Sequence, residues 1–149
     1  MPLPGGYLLD TNILLGLIRG KDFGKYLDKT YGITAVGFNP FLLSIVSVGE
    51  MYALASKFKW GTPKRDALAD LLTELTWTDI SDTSILLAYG EIDAASEAMG
   101  RLMGKNDIWI AATARVTNTT ILTTDHDFDH LHGTWVDREW VDPASKLSP

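Results

Sequence analysis

The sequence predicts an α/β fold in which helices cover both faces of a short, mainly parallel central sheet. Short apolar runs alternate along the chain with longer segments that carry helix-capping signals. This alternation is typical of β–α units, which build parallel sheets. A length of 149 residues favours one domain. We assign residues 1–142 to this domain and residues 143–149 to a loose, polar C-terminal tail.

Five segments are predicted to be strands because each is short, apolar or β-branched, and bounded by loop or capping residues. YLL and FLLSIV begin the series, and FLLSIV is expected at the centre of the sheet because it is apolar throughout. TWV, the last, is expected at an edge. In chain order they are residues 7–9, 41–46, 77–80, 120–124 and 134–136.

The helices are predicted from their start and stop signals. Residues 20–40 are rich in Gly and predict a loop with one helical piece around Phe23–Lys29. Pro63 follows Thr62 and suits the first turn of a helix. The predicted helices start at Thr11 or Asn12, at Ser47, at Thr62, at Asp82 or Thr83, and at Asn106; four of them end near Arg19, Lys59, Met103 and Thr117.

Composition excludes several classes of protein. The chain has no Cys, which rules out disulfides and thiolate metal sites. No apolar run approaches the ~20 residues that span a bilayer. The opening residues MPLPGG carry no positive charge ahead of an apolar run, so we expect no secretory signal and a cytoplasmic location. The net charge of −6 argues against a general nucleic-acid coat, but not against an enzyme that meets phosphates through metal ions.

Four acidic residues are predicted to meet at one edge of the sheet. Asp10 and Asp125 directly follow two predicted strands. Glu50 and Asp107 lie in the first turns of predicted helices. Strand C-termini and the N-termini of the helices that follow them share one edge of a parallel sheet, and ligands bind there.

Each acid also has a structural interpretation. Ser47 and Glu50 could form a capping box, and Asp107 would suit the helix dipole. Asp10 and Asp125 could cap a helix or a turn. Together, however, carboxylates ~4 Å apart repel by about 4 kcal/mol at an effective dielectric constant near 20, so they need protons or a cation. An all-oxygen site suits Mg²⁺ or Mn²⁺.

Four segments of the chain resemble the motifs of PIN-domain nucleases, in particular those of the VapC-type toxins of toxin–antitoxin pairs. They are LLDTN at 8–12, SVGE at 47–50, NDIWIAATA at 106–114 and ILTTDHDF at 121–128. The resemblance implies a PIN-like three-layer α/β/α fold and a metal-dependent ribonuclease that hydrolyses RNA phosphodiester bonds through Mg-activated water. It also implies an RNA substrate, a cognate antitoxin protein and a homodimer.

The resemblance also implies roles for individual residues. Asp10 and Asp107 match the main metal-binding acids, and Glu50 and Asp125 match the acids that hold a second ion. All four are therefore the expected catalytic residues. Behind them, the residues expected to orient acids or waters are Thr11, Asn12 and Thr124.

Three alternatives share parts of this pattern. A catalytically silent PIN-fold module that binds other proteins would share the fold, although such a scaffold need not retain like charges that repel. A receiver domain would need an acidic pair before the first helix and a Lys at the end of a late strand, but the first strand ends in a single Asp and no Lys follows TILTT. A haloacid-dehalogenase phosphatase would need a DxDxT motif, and DTNIL lacks its second Asp. Nearby, Asp127 is interpreted as the cap of a turn before Phe128, and His126 as a surface histidine.

Overall fold

One five-stranded, fully parallel sheet organises the chain. The structure is a computed structural model that describes residues 6–35 and 41–149. Its strands are β1 (Tyr7–Leu9), β2 (Phe41–Ser44), β3 (Thr76–Thr78), β4 (Thr120–Thr123) and β5 (Asp137–Trp140). They lie in the order β3-β2-β1-β4-β5, and every pairing is parallel. The predicted α/β class with a mainly parallel sheet is confirmed.

Helices pack on both faces of this sheet. They are α1 (Thr11–Arg19), α2 (Asp22–Tyr31), α3 (Ile45–Lys57), α4 (Thr62–Glu74), α5 (Thr83–Ala98) and α6 (Lys105–Thr117). Side chains alternate across β1, so Tyr7 and Leu9 join the core under α1–α4 while Leu8 joins the core under α5 and α6. Each face of the sheet therefore has its own apolar core, which is the predicted three-layer arrangement. No helix in the described ranges is long and apolar enough to cross a membrane.

The boundary between β2 and α3 differs from the prediction. FLLSIV was expected to be a strand through residue 46, with a helix starting at Ser47, and both expectations are wrong. Ser44 is the N-cap, and its Oγ accepts a hydrogen bond from the Val46 N–H at 3.1 Å. This cap places the β-branched Ile45 in the first helical turn, although its side chain type favours strands.

The helix predicted to reach Met103 ends at Ala98. Gly100 has a φ of 74°, a left-handed conformation that suits glycine, and the Arg101 N–H donates to the Ser96 carbonyl at 2.8 Å. The cap of α6 is Gly104 rather than the predicted Asn106. The helical pattern of residues 99–103 is therefore broken by one glycine, and this connector joins α5 to α6.

The loop predicted at 20–40 contains α2, which confirms the helical piece expected around Phe23–Lys29 and extends it by one residue at its start and two at its end. Residues 36–40 of that loop, like residues 1–5 of the predicted domain, lie outside the described ranges. One further expectation is wrong. TWV at 134–136 is not a strand, because the edge strand β5 begins at Asp137. The other predicted boundaries agree with the structure to within two residues.

The packing of α1 against α2 generates a stability prediction. A Cβ added to the buried Gly24 would lie 2.6 Å from the Gly16 carbonyl oxygen, a backbone atom that cannot move aside easily. Gly24→Ala should therefore lower the free energy of unfolding by roughly 1–3 kcal/mol, as overpacking does. Thermal and urea unfolding would measure the change.

Gly90→Ala is the matched control. Gly90 is also helical, but it is exposed and a Cβ there would meet nothing within 4 Å. The gain in helix propensity should stabilise this variant by up to about 1 kcal/mol. Equal stability changes of the same sign at both positions would contradict the close approach of α1 and α2.

Candidate metal centre

Asp10 is the most buried acid at the carboxyl edge of the sheet, where the parallel strands end. It follows β1 directly, is the N-cap of α1 and is 3% exposed. Three groups donate hydrogen bonds to its carboxylate: the Thr11 N–H at 2.8 Å, Asn12 Nδ2 at 3.1 Å and the Thr123 hydroxyl at 2.7 Å. These donors hold the carboxylate in one orientation.

Burial raises the pKa of Asp10 to about 6. The hydrogen bonds from Thr123 and Thr11 act in the opposite direction, because they favour the charged form. The negative charges of Asp125 and Glu50 raise the pKa further. The fold therefore places other acids near a carboxylate that already lacks solvent.

Glu50 reaches the same edge from the second turn of α3. The Thr11 hydroxyl donates to Glu50 Oε1 at 2.6 Å and lies 3.0 Å from Ser47 Oγ. The expected first-turn position is wrong, and so is the capping box with Ser47, because α3 begins at Ile45 and is capped by Ser44. The Glu50 carboxylate is therefore not committed to capping its own helix, and it contacts α1 instead.

Asp107 is the third residue of α6, in the first turn as predicted, and it is half-buried. Among the residues that the structure describes, none donates a hydrogen bond to its carboxylate. Burial raises its pKa to about 7, and the charges of Asp10, Asp127, Glu50 and Asp125 add to this effect. Asp107 is therefore the acid most strongly influenced by the others and the least stabilised by the protein.

Asp125 directly follows Thr124 at the end of β4 and is exposed. Partial burial and the charge of Asp127 raise its pKa, whereas a hydrogen bond from Asn12 and the proximity of His126 lower it. Asp10, Glu50, Asp107 and Asp125, here called the acidic cluster, thus come from four different segments and influence one another at one edge.

Asn12 links the ends of β1 and β4. Its Nδ2 donates to Asp10 Oδ2 at 3.1 Å and to Asp125 Oδ2 at 3.0 Å, while its Oδ1 accepts from the Thr124 N–H at 3.1 Å. One amide therefore positions two carboxylates and one backbone group.

Thr123 takes part through its side chain and Thr124 through its backbone. The Thr123 hydroxyl donates to Asp10 and also accepts from the Asp125 N–H at 3.0 Å. The sequence motif predicted a role for the Thr124 side chain and gave none to Thr123. Nothing in the sequence distinguishes these adjacent threonines, because the choice depends on where β4 ends.

Asp127, expected from the sequence to cap a turn, is a fifth acid at this edge. Its charge is the largest electrostatic influence on Asp125 and the second largest on Asp107. The available signal was its i, i+2 spacing from Asp125. Beside it, a cavity of about 130 Å³ is lined by Arg101, Leu102, Met103, Gly104, Asp107, Asp127 and His130.

The donor chemistry of the acidic cluster fits a hard divalent cation, since every ligand offered is a carboxylate oxygen. As the side chains stand, no three acidic or histidine side chains of the described residues are close enough to share one ion. Asp10 and Asp125 are turned toward Asn12, and Glu50 is turned toward Thr11. Joint coordination would therefore require side-chain rotation, for which Glu50, Asp107 and Asp125 have room because none is fully buried.

Comparison with known proteins identifies the family of this chain. The model of the PIN domain family matches residues 7–133. Ribonuclease VapC2 from Haemophilus influenzae is 31% identical over 111 residues, which cover 73% of this chain and 78% of that protein. Ribonuclease VapC2 from Rickettsia felis is 29% identical over 121 residues, covering 80% and 86%.

Solved structures of VapBC proteins are similar in fold to this chain. The crystal structure of VapBC2 from Rickettsia felis, bound to a promoter DNA fragment, contains a chain that superimposes with a TM-score of 0.77 at 25% identity, covering 92% of this chain and 99% of that one. VapBC-1 from nontypeable Haemophilus influenzae gives a TM-score of 0.71 at 22% identity, which covers 91% and 97% and concerns the fold alone. The chain described here belongs to the PIN-domain family, and VapC proteins are among its relatives.

Proposed function

We propose that this chain is a metal-dependent ribonuclease of the VapC type, which hydrolyses RNA phosphodiester bonds. The observation that carries the proposal is the placement of Asp10, Glu50, Asp107 and Asp125 at the carboxyl edge. The charges of the other three raise the pKa of Asp107, and those of Glu50 and Asp125 raise the pKa of Asp10. The relatives named ribonuclease VapC support RNA as the substrate. We expect the protein to act in the cytoplasm, where such a substrate is found.

We assign the acidic cluster as the ligand set for Mg²⁺ or Mn²⁺. A divalent cation would offset the mutual repulsion that burial makes costly at Asp10 and Asp107. When bound, such an ion supplies a water of lowered pKa and stabilises negative charge on phosphoryl oxygens.

The chain's own residues divide this work by their constraints. Asp10 is buried and held by three donors, so it is the fixed acid around which the others assemble. Asp107 has no such donors and can turn toward a cation without breaking a hydrogen bond. Asn12 and Thr11 hold the carboxylates of Asp125 and Glu50 at the same edge, from which each would rotate toward a bound cation.

The proposal extends to partners. The similar structures from Rickettsia felis and Haemophilus influenzae are VapBC complexes, which supports a cognate antitoxin for this chain. A basic antitoxin segment would complement the acidic edge and the net charge of −6. We also propose a homodimer, which sedimentation of the purified chain would test.

Cleavage of total RNA with and without Mg²⁺ tests the proposed activity. Asp107→Asn should lower the rate more than about 100-fold, since even the outer partners of metal ligands cost about 10- to 100-fold when removed. Mapping of the RNA ends would measure the loss of cleavage. Circular dichroism would show that the variant is folded.

Asp93→Asn is the control. Asp93 is an exposed acid on α5, and its substitution should leave cleavage unchanged. Cleavage that persists in chelator, or in Asp107→Asn, would refute metal dependence through this cluster. A wild-type chain that never cleaves RNA would instead favour the catalytically silent protein-binding module.

The raised pKa values predict how stability depends on pH when divalent ions are removed by chelator. Between the ordinary carboxyl pKa near 4 and the folded values of about 6 for Asp10 and about 7 for Asp107, the native state binds more protons than the unfolded state. The free energy of unfolding should therefore fall as pH rises through this range and level off above it. The total change is on the order of a few kcal/mol, with the Asp107 share reduced by its partial solvation.

Urea unfolding between pH 4 and pH 8 would measure this dependence. Added Mg²⁺ should restore stability mainly at the upper end of the range, where the carboxylates are ionised. Stability in chelator that rises from pH 4 to pH 7 would contradict the electrostatic description of the cluster.

Asn12→Ala tests the amide that joins two strand ends. Without it Asp10 and Asp125 lose a shared donor, so cleavage should fall about 10- to 100-fold. Asn106→Ala is the matched control, because Asn106 is exposed and contacts neither carboxylate through a hydrogen bond. Equal rates in the two variants would remove Asn12 from the account.

A further inference from the structure

Two exposed rings lie together beside the acidic cluster. The imidazole of His126 stacks on the indole of Trp140, with ring centroids 4.8 Å apart and an interplanar angle of 18°. The His126 side chain is 66% exposed and Trp140 is 37% exposed. One face of the imidazole is covered by the indole, and two thirds of the His126 side chain is nevertheless open to solvent. We call His126 and Trp140 the ring pair.

Hydrogen bonds hold both rings in place. Trp140 Nε1 donates to the Thr124 carbonyl at 2.9 Å. His126 Nδ1 lies 2.9 Å from Asp129 Oδ2, and the other oxygen of Asp129 accepts from Arg138 Nε at 2.8 Å. The ring pair is therefore preorganised, so binding of a ligand would cost little side-chain conformational entropy.

The ring pair adjoins the proposed reaction site through the backbone. His126 directly follows Asp125, and Trp140 is paired in register with Thr123, whose hydroxyl contacts Asp10. Trp140 is also the last residue of β5, so it lies at the carboxyl edge. A ligand on the ring pair would thus be next to a phosphate at the acidic cluster.

We propose that the ring pair is a stacking platform for one base of single-stranded RNA, next to the phosphate that is cleaved. This inference rests on the proposed function. Unstacked bases bind aromatic side chains through their π-faces, largely without regard to sequence. Stacking also needs no positive charge, and an acidic edge that repels phosphates has particular need of a contact of that kind.

Trp77 provides an internal comparison. It is also exposed, and its Nε1 also donates to a backbone carbonyl, that of Leu72 at 3.0 Å. It lies on β3, however, at the opposite edge of the sheet, and within the described ranges it stacks on no other ring. Trp77→Leu is therefore a matched control for Trp140→Leu.

The test uses a short single-stranded RNA with a mapped cleavage site and a series of the same RNA with an abasic nucleotide at successive positions. His126→Ala should raise KM roughly tenfold, about the size of one lost base stack, with little change in kcat. His126→Phe keeps a ring and should restore KM. At one position in the RNA, the abasic nucleotide should raise the KM of the wild type by a similar factor. The same RNA should not raise the KM of His126→Ala further.

Trp140→Leu should resemble His126→Ala, and Trp77→Leu should resemble the wild type. Should Trp140→Leu fail to fold, the exposed His126 variants still decide. An abasic penalty that is equal in wild type and His126→Ala at every position, or a His126→Phe variant as impaired as His126→Ala, would overturn the platform.

Direct binding separates this inference from the proposed function. Fluorescence anisotropy of labelled RNA in chelator measures affinity when no metal-dependent cleavage occurs. If the wild type binds RNA more tightly than His126→Ala but never cleaves it, the proposed nuclease function is refuted and the stacking platform is supported. A chain that cleaves RNA but binds it equally well with and without His126 would do the reverse.

Discussion

The two apolar cores of the structure hold like charges together at the carboxyl edge of a parallel sheet. Asp10 is almost completely buried there, and the charges of Glu50 and Asp125 act on it. Such an arrangement costs free energy unless protons or a cation compensate. It is maintained because each acid belongs to an element whose position the two apolar cores determine, so that relaxation by moving apart would require unpacking those cores.

Polar neighbours soften this cost without removing it. Thr11, Asn12 and Thr123 satisfy oxygens of Asp10, Glu50 and Asp125, and they tie together the ends of β1 and β4 and the second turn of α3. Asp107 alone has no donor among the described residues. Three acids of the cluster thus accept hydrogen bonds from the described residues, and Asp107 accepts none. In our proposal, a bound cation would stabilise the charge of Asp107.

Connectivity explains why much of the site could be predicted from sequence. Residues that follow parallel strands must lie at the carboxyl edge, which places Asp10 and Asp125 there before any side chain is positioned. The predicted position of Glu50 within its helix was less accurate. The β-branched Ile45 and Val46 favour a strand, whereas the cap at Ser44 starts a helix. Local capping prevailed over propensity at this point.

Other features depended on contacts that have no sequence signature. Thr123 and Thr124 are identical side chains, and only the end of β4 decides which hydroxyl meets Asp10. β5 was not predicted because Asp137, Arg138 and Glu139 are charged, a composition that an edge strand tolerates but that is more typical of a loop. The ring pair joins His126 to a residue of that unpredicted strand, so its existence followed only from the structure.

The most direct test of the central claim is anomalous diffraction from crystals of the full chain grown with saturating Mn²⁺. We expect a manganese peak bounded by carboxylate oxygens of Asp10 and Asp107, with Glu50 or Asp125 turned toward it. Crystals with manganese bound elsewhere and these carboxylates still turned away from one another would contradict it.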